Sequence, residues 1–324
     1  MARYARVVGW GKYLPEKVLT NQDLERLVNT DDSWIRSRTG ISQRRIAGSD
    51  ETASTMATRA SQEALDISGI HPEHLDLVIA ATCTPEHIFP ACASLVQASI
   101  GAKNAAAFDV NAACSGFMYA LATACQFVVA GTYDSVLVVG SEVYSRILDW
   151  QDRATCVLFG DGAGAVVVRA SESAPGSLSI ILGNDGSRVS TLYTPGPCGL
   201  DEGPYYLRMR GPETFRFAVN IVHQASTEAV AAAGLHLSDI DLIIPHQANT
   251  RIIRSAAKLL GVPLDRFFVN VERYGNTSAA SIPIALCEAV EEGRVKEGDR
   301  VLLVGFGGGL SWAAMVLEWG LSDR

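Results

Sequence analysis

The sequence predicts an α/β fold with mainly parallel strand pairing, built from two tandem copies of one unit. Three observations support this prediction. Short β-branched segments alternate with segments of helical period along the chain. The 324 residues are enough for about two domain-sized units. The two halves also match each other at one fixed offset.

In the first half, short apolar runs bounded by Gly or Asp predict strands at Leu75–Ala81, Ala106–Val110, Ser135–Gly140, Cys156–Phe159 and Ala165–Arg169. Helical spacing predicts helices at Thr52–Ser68, Ala91–Ile100 and Cys114–Val129. A strand, helix, strand order is typical of parallel pairing.

The second half repeats this alternation. Its predicted strands are Ser179–Leu182, Asp241–Pro245, Phe267–Val271, Arg300–Gly305 and Ala313–Glu318. Its predicted helices are Pro212–Ala233, Ala248–Leu260 and Thr277–Glu292.

The internal repeat is visible in the letters themselves. GIHPEHLDLVIA from Gly69 returns as GLHLSDIDLIIP from Gly234, 165 residues later. At the same offset, SVLVVG from Ser135 returns as RVLLVG from Arg300, and an Ala-Leu pair recurs within a helix. We therefore expect two copies of one α/β unit that pack as a pseudo-dimer.

Composition excludes several classes of protein. With 27 basic against 35 acidic residues, the formal charge is −8, and 48% of the residues are hydrophobic, which argues against disorder and general nucleic-acid binding. The seven cysteines are odd in number and form no C-x-x-C pair, which is typical of a reduced compartment. Arg3, Arg6 and Lys12 interrupt any secretory segment, so a cytoplasmic protein is expected.

The uncharged stretch from Val110 to Tyr133 is long enough to cross a bilayer, but polar residues interrupt it and acidic residues flank it. We expect a buried core helix there and no membrane association. The segment HPEH at His71 lacks a supporting carboxylate or cysteine cluster, so no metal site is expected.

Cys114 follows a predicted strand and opens the uncharged helix. A thiol at a helix N-terminus lies near free backbone N–H groups, which favour the thiolate, so Cys114 is the candidate nucleophile. On its own, it also fits an ordinary buried cysteine.

His246 and Asn276 lie where strands meet helices, in PHQANTRII and RYGNTSAAS. Ligand sites of α/β sheets lie at such junctions. Asn276 corresponds under the repeat to a position three residues before Cys114. Each is also interpretable as a cap or turn residue, but with Cys114 they form a Cys, His, Asn set.

The segment GFGGGLSW lacks the Lys and the helix of a phosphate loop. Its glycines instead suit close approach of backbone N–H groups to a ligand, as in an oxyanion hole. A simple β-hairpin turn remains an alternative.

The chain resembles the beta-ketoacyl-acyl-carrier-protein synthase III family of thiolase-fold condensing enzymes. The resemblance is carried by six motifs, which are in chain order WIRSRTGI, ACSGF, FGDGAGA, PHQANTRI, YGNTSAAS and GFGGGLSW. The resemblance implies a five-layered αβαβα, thiolase-like fold of two duplicated halves. We expect the first half, residues 1–172, to carry the nucleophilic Cys and the second, residues 173–324, to carry the His and Asn.

The resemblance also implies a reaction. An acyl group, expected to be acetyl, passes from acyl-CoA to Cys114, and the thioester is attacked by an enolate formed by decarboxylating malonyl-acyl carrier protein. The products are 3-ketoacyl-acyl carrier protein, CoA and CO2, at the start of fatty acid biosynthesis. His246 and Asn276 are neutral donors to the malonyl oxygen, Gly308 supports the oxyanion and Phe306 lines the malonyl side.

By matching motif positions, the implied CoA contacts are Trp34, Arg38, Arg153, Gly211 and Asn249. Ala154 and Pro212 depart from the family pattern beside two of these contacts. Phe89 matches a residue that reaches the acyl pocket of a partner subunit, so a homodimer is expected. Acyl-CoA enters as a substrate, and no cofactor is expected.

Arg251, Arg254 and Lys258 fall on one face of a predicted helix, at spacings of three and four. A solvated face is the ordinary interpretation of such a stripe. Given the resemblance, we expect it, with Arg216, to dock an acidic carrier protein.

Four alternatives remain open at this level. A cysteine hydrolase of papain type has the same Cys, His, Asn order, although ACSGF is not its signature. A cysteine-dependent thioesterase would release the acyl group to water. A related condensing enzyme of a specialised lipid or polyketide pathway would differ in its primer, and a non-catalytic partner subunit would form no adduct.

Overall fold

The computed structural model describes residues 3–172, 176–200 and 203–320. Its strands, in chain order, are β1 Tyr4–Tyr13, β2 Val18–Thr20, β3 Gln43–Arg45, β4 Leu77–Ala81, β5 Ala106–Val110, β6 Ser135–Glu142, β7 Gly162–Ser171, β8 Ser177–Asn184, β9 Leu192–Tyr193, β10 Arg208–Met209, β11 Leu242–Pro245, β12 Arg300–Gly307 and β13 Ser311–Glu318. Its α-helices are α1 Asn21–Leu24, α2 Asp32–Thr39, α3 Ala53–Ser68, α4 Cys92–Ser99, α5 Gly116–Val129, α6 Arg153–Cys156, α7 Gly211–Ala232, α8 Thr250–Leu260, α9 Val271–Tyr274 and α10 Ser281–Glu291.

Two sheets organise the molecule. The first has five strands in the order β1-β7-β6-β4-β5, and the second has four in the order β11-β12-β13-β8. The strands of the first sheet end at Ser171, and those of the second begin at Ser177. The expected division between residues 172 and 173 falls at residues 173–175, which lie outside the described residues.

The two sheets and three helical layers alternate. One apolar cluster packs α3 and α4 against the outer face of the first sheet. A second encloses α5 and α10 between the two sheets, and a third packs α7 and α8 on the outer face of the second sheet. This is the expected five-layered αβαβα arrangement.

The predicted repeat is present element by element. β6 and β12 are separated by 165 residues at both ends, and α5 and α10 begin at the same separation. A one-turn 3-10 helix precedes each of these helices, Ala113–Ser115 before α5 and Ser278–Ala280 before α10. The first residue of each turn has a positive φ, 48° at Ala113 and 50° at Ser278. The two copies therefore share even an unusual backbone conformation.

The prediction of mainly parallel pairing is wrong. β4 pairs in parallel with β5 and β6, and β11 pairs in parallel with β12, but the other neighbours in the two sheets are antiparallel. Parallel neighbours require a crossover, whereas β12 and β13 are joined directly by a hairpin. β1, which the sequence pattern did not identify, adds a further antiparallel edge.

Two predicted strands are absent. In the segment Cys156–Phe159, Cys156 is the last residue of the short helix α6, which Asp152 caps at its other end. Phe159 forms a single bridge to Asn276. In the segment Phe267–Val271, Phe267 forms a single bridge, and Val271 begins α9. Both segments are apolar because they are largely buried, rather than because they extend a sheet.

β1 is interrupted by glycines for a packing reason. A Cβ at Gly9 would lie 2.2 Å from the carbonyl oxygen of Ala64, and one at Gly11 would lie 2.2 Å from that of Ala60. α3 therefore lies directly on the backbone of β1.

The uncharged stretch after Val110 forms α5 in the central layer, as predicted. Among the described residues, no helix has the length and apolarity needed to span a membrane.

Candidate active site

Cys114 lies in the 3-10 turn at the N-terminus of α5 and is only 4% exposed. Its Sγ is 3.3 Å from the Oγ of Ser278 in the matching turn of the other half. The sequence predicted the helix N-terminus and expected it to favour the thiolate. Burial has the larger effect, because it raises the pKa of the Cys114 thiol to about 12.

His246 follows β11 and is also buried, at 1% exposure. Its Nδ1 lies 2.6 Å from Ser281 Oγ, and its ring packs edge-to-face on Phe306 with centroids 5.0 Å apart. Among the described residues, Nε2 has no protein partner. Burial lowers the pKa of His246 to about 3, so its imidazole is neutral at physiological pH.

Asn276 is held by backbone on both sides. Its N–H donates to the carbonyl oxygen of Leu158 at 2.8 Å, and its own carbonyl accepts from Gly160 at 3.0 Å. The side-chain Oδ1 accepts from the Ser278 N–H at 2.8 Å. This contact orients the amide, so its NH2 group remains available as a donor.

The glycine segment forms the hairpin between β12 and β13. A Cβ at Gly307 would lie 2.6 Å from the backbone N of Cys114, so the hairpin backbone passes directly against the nucleophile's amide. Gly308 follows in the turn, and its carbonyl accepts from Ser311 Oγ at 2.8 Å. The hairpin interpretation is therefore confirmed, and the segment also lines the site.

Two cavities meet at Cys114. The inner one, of about 460 Å³, is lined by Cys83, Tyr144, Gly308 and mostly apolar side chains. The outer one, of about 640 Å³, is lined by Cys114, His246, Asn276 and Phe306 together. The structure thus brings the predicted Cys, His, Asn set to one cavity, with Cys114 following β5 and His246 following β11.

The residues expected to contact CoA line the same outer cavity. They are Trp34, Arg38, Arg153, Gly211 and Asn249. The guanidinium carbon of Arg153 lies 4.7 Å from the centre of the Trp34 ring, and Arg38 is exposed beside them. Asn249 caps α8 and donates to the carbonyl oxygen of Arg38 at 3.2 Å, so part of its hydrogen bonding is structural. Ala154 and Pro212 also line the cavity.

The carrier-docking residues are placed partly at this opening. Arg216 and Arg251 line the outer cavity, whereas Arg254 and Lys258 continue along the exposed face of α8 away from it. Arg251 lies over the ring of Phe215 at 5.4 Å.

Phe89 does not line either cavity. Its side chain is 84% exposed, and its apolar neighbour Ile88 is 75% exposed.

Sequence reasoning missed three polar groups behind the nucleophile, Ser278, Glu142 and Tyr144. The Ser278 hydroxyl contacts Cys114, Glu142 and Tyr144, and all of these residues are buried. One signal was available: Glu142 is a lone carboxylate ending the apolar strand SVLVVGSE.

No group of three or more His, Cys, Asp or Glu residues within the described residues is arranged to hold a metal ion.

Comparison with known proteins identifies the family. Residues 108–186 match the model for 3-Oxoacyl-[acyl-carrier-protein (ACP)] synthase III, and residues 230–319 match the model for the C terminal of that synthase. The beta-ketoacyl-[acyl-carrier-protein] synthase III of Symbiobacterium thermophilum is 51% identical over 97% of this chain and 98% of that protein.

Solved structures agree with this assignment. The 3-oxoacyl-[acyl-carrier-protein] synthase III of Aquifex aeolicus superposes with a TM-score of 0.93 at 48% identity, covering 97% of this chain and all of that one. The priming beta-ketosynthase of the R1128 polyketide pathway superposes with a TM-score of 0.94 at 39% identity, covering 98% and 97%. The chain therefore belongs to the beta-ketoacyl-acyl-carrier-protein synthase III family of thiolase-fold condensing enzymes.

Proposed function

We propose that this enzyme condenses an acyl-CoA primer, acetyl-CoA in the simplest case, with malonyl-acyl carrier protein. The reaction passes through an acyl-Cys114 thioester and yields 3-ketoacyl-acyl carrier protein, CoA and CO2, which initiates fatty acid biosynthesis. The observation that carries the proposal is the single cavity that Cys114, His246 and Asn276 line together, in a chain about half identical to synthases III.

In the first half-reaction, Cys114 Sγ attacks the acyl-CoA carbonyl. The backbone N–H groups of Cys114 and Gly308 are the proposed oxyanion donors, and the hairpin's close approach to Cys114 supports this role. The inner cavity of about 460 Å³ holds the acyl chain. Its apolar walls suit a short hydrocarbon group.

In the second half-reaction, negative charge develops on the malonyl thioester oxygen as CO2 leaves. A neutral His246 Nε2–H and the Asn276 NH2 group are suited to stabilise that charge as hydrogen-bond donors. Phe306 packs against His246 and lines the side from which the carboxylate departs. No strong base is needed for carbon–carbon bond formation, because decarboxylation itself generates the enolate.

The outer cavity is the proposed path for the pantetheine arm, with Gly211 and Asn249 along it. At its mouth, Trp34 and Arg153 stack on each other and, with Arg38, suit an adenine base and phosphates. We propose that Arg216, Arg251, Arg254 and Lys258 dock the acidic carrier protein beside this opening. No cofactor takes part, and acyl-CoA serves as a substrate.

We further propose a homodimer in which Phe89 reaches toward the partner's acyl pocket, supported by the exposure of two adjacent large apolar side chains. The seven free thiols support a cytoplasmic location. Residues 1–172 and 173–324 form the two halves of the single active site.

A second candidate function is priming in a specialised pathway. The similarity to a polyketide priming ketosynthase, at 39% identity, favours keeping it open. The two functions share one chemistry and differ in the primer, so a panel of acetyl-, branched- and longer acyl-CoA substrates separates them.

The test of the proposed function is the mass of the protein after incubation with each acyl-CoA, followed by addition of malonyl-acyl carrier protein. We expect an acyl adduct on Cys114 that is consumed as 3-ketoacyl-carrier protein forms. Cys114→Ala should abolish both signals. Cys125→Ala, a second buried cysteine in α5, is the matched control and should keep them.

Two outcomes would reject the proposal. Release of free acid without a ketoacyl product would identify a thioesterase. Absence of any adduct in the folded protein would remove Cys114 as the nucleophile and favour a non-catalytic role.

A further inference from the structure

A hydroxyl from the other half of the molecule contacts the Cys114 thiol. Ser278 Oγ lies 3.3 Å from Cys114 Sγ, 3.0 Å from Glu142 Oε1 and 3.1 Å from the Tyr144 hydroxyl oxygen. The four residues are no more than 4% exposed. Because a hydroxyl has a single proton, Ser278 can donate only one of these three bonds at a time.

The direction of each bond follows from the chemistry of the partners. An ionised carboxylate can only accept, so the Ser278 proton bonds Glu142. Burial raises the pKa values of Cys114 and Tyr144, so both remain protonated and each has a proton that can be donated to the Ser278 oxygen. The result is a continuous chain of donors from the Cys114 S–H to the Glu142 carboxylate.

Glu142 is placed as a proton acceptor rather than as half of an ion pair. Its Oε2 accepts from Thr84 Oγ1 at 2.7 Å and from the Cys83 N–H at 3.0 Å. The remaining Oε2 contact, from Thr82 Oγ1 at 3.3 Å, is also neutral. These bonds fix the carboxyl group while leaving Oε1 directed at Ser278.

The ionisable groups around Glu142 do not exchange protons near neutral pH, so they do not compete with Glu142 as proton acceptors. Those coupled to it electrostatically are Cys83, Cys92, Cys114 and Tyr144, and burial raises the pKa of every one. Burial raises the pKa of Glu142 itself to about 7. Within this group, Glu142 is thus the residue able to gain and lose a proton at physiological pH.

The backbone at Ser278 adds a separate argument. A non-glycine residue at a φ of 50° is held in a conformation that costs free energy, and such strain persists where the surroundings fix it. The matching residue of the first half is Ala113, which has no hydroxyl. In the second copy of the turn, the strained position therefore carries a hydroxyl side chain directly against the nucleophile.

We propose that Ser278 and Glu142 form a relay that takes the proton of Cys114 during acylation and returns it after condensation. This inference rests on the proposed function. As Sγ bonds the acyl carbon and the C–S bond to CoA breaks, the Sγ proton moves to Ser278 Oγ, and the Ser278 proton moves to Glu142 Oε1. The CoA thiolate leaves with the electron pair and takes its proton from solvent.

The acyl-enzyme then keeps the proton on Glu142. When the enolate carbon bonds the acyl carbon, the bond to Cys114 breaks and the thiolate re-forms. Glu142 returns its proton through Ser278 to Sγ, so the enzyme begins the next cycle as a neutral thiol and an ionised carboxylate. One proton from solvent is consumed per turnover, on CoA.

The test measures acylation alone, as CoA released from acetyl-CoA in a single turnover without malonyl-carrier protein, at a series of pH values. For the unaltered enzyme, the rate should rise with pH through about 7, as Glu142 ionises. Glu142→Gln and Ser278→Ala should each lower it at neutral pH by about 100-fold or more, the usual contribution of a general base, and abolish that rise. Ser115→Ala is the matched control, because this buried neighbour bonds Ser311 and not Sγ.

A second readout distinguishes the relay from a structural role. Decarboxylation of malonyl-carrier protein uses His246 and Asn276, so both relay variants should retain it. If Glu142→Gln does not fold, Ser278→Ala decides alone. Acylation by Ser278→Ala at the normal rate, or with the normal pH profile, would overturn the relay while leaving the acyl-enzyme mechanism intact. Failure of the unaltered enzyme to form an adduct would instead reject the proposed function, and the relay with it.

Discussion

At the residue scale, Cys114 is subject to two opposing effects. The N-terminus of α5 favours a negative charge on sulfur, typically by less than about 2 kcal/mol, whereas burial raises the thiol pKa to about 12. The resting nucleophile is therefore a thiol, and its proton has to move during the reaction. The hydrogen-bonding groups behind Cys114 are therefore the proposed route for that proton.

His246 gives a residue-scale prediction about charge. Its pKa is lowered to about 3 by burial, from an ordinary value near 6.5, so the ring should stay neutral between about pH 5 and 8. Ser281 Oγ accepts from the Gln247 N–H, and among the described residues Nδ1 is the only acceptor for its own proton, which leaves the hydrogen on Nε2. Nitrogen NMR of labelled histidine should show an Nε2–H tautomer that does not titrate over this range.

The same spectra provide the control. Subtracting the spectrum of His246→Gln identifies the His246 signals among the six histidines. In Ser281→Ala the tautomer should become mixed, and decarboxylation should fall roughly five- to tenfold, since one hydrogen bond contributes about 1 kcal/mol. A His246 signal titrating near its ordinary pKa would contradict the neutral-donor role.

Sequence reasoning selected Cys114, His246 and Asn276 because their side chains have recognisable chemistry and lie at element junctions. It did not select Ser278 or Glu142. The lone carboxylate at the end of an apolar strand was a signal for Glu142, but its contact with Ser278 spans 136 residues of sequence and is not encoded in local pattern. Ser281 was missed for the same reason, since it meets His246 only through the packing of α10.

At the element scale, the repeat relates the carboxyl end of β6 to the carboxyl end of β12. Glu142 ends β6 and Gly307 ends β12, and they occupy equivalent positions. The Glu142 carboxylate lies close to the backbone N–H of Ala279, which is the counterpart of Cys114. In the second half, glycine leaves the equivalent space beside the Cys114 N–H open. An anionic oxygen already occupies one copy of this arrangement, which supports an oxyanion site in the other.

This comparison predicts the effect of Gly307→Ala. The new Cβ would lie 2.6 Å from the Cys114 backbone N, so the hairpin or the nucleophile has to shift. A displacement on the order of 1 Å at a reacting group costs about 100-fold in rate, and we expect that loss in acylation. Single-turnover CoA release measures it.

Gly186→Ala is the matched control, because that glycine is exposed and a Cβ there would lie 3.7 Å from its nearest neighbour. It should acylate normally. Normal acylation by Gly307→Ala would show that the close approach has no catalytic importance.

The exposed face of α8 gives a second element-scale prediction. Arg251→Glu reverses a charge at the opening of the outer cavity. Because an acidic carrier protein would be repelled, we expect the KM for malonyl-acyl carrier protein to rise by about tenfold, with the effect decreasing at high salt. Acylation from CoA should be little changed. Steady-state kinetics at two ionic strengths test this.

Lys103→Glu is the control for charge reversal, since Lys103 lies before β5, at the opposite end of the strand from Cys114. It should leave the KM unchanged. An equal response of the two variants would reject docking on α8 and attribute the change to net charge alone.

At the scale of the whole molecule, the sequence predicted the duplication, because hydrophobic pattern and turn residues repeat at a constant offset. It did not predict the strand directions, since β1 and the hairpin β12–β13 add antiparallel neighbours that depend on tertiary pairing. The central layer of α5 and α10 belongs to both halves and carries Cys114 and the Ser278 turn at its ends. One site therefore needs both copies.

The exposed pair Ile88 and Phe89 predicts that the assembly extends beyond one chain. Large apolar side chains exposed at 75% and 84% are costly in water, and burying them against a second copy would remove that cost. Phe89→Asp would place a charge in the proposed interface, so sedimentation should show a dimer becoming a monomer. Adduct formation with acyl-CoA should fall with it, because the partner's Phe89 would no longer reach the acyl pocket. Leu264→Asp, at another exposed apolar position, should remain dimeric and active. A monomeric unaltered protein that acylates normally would contradict the shared pocket.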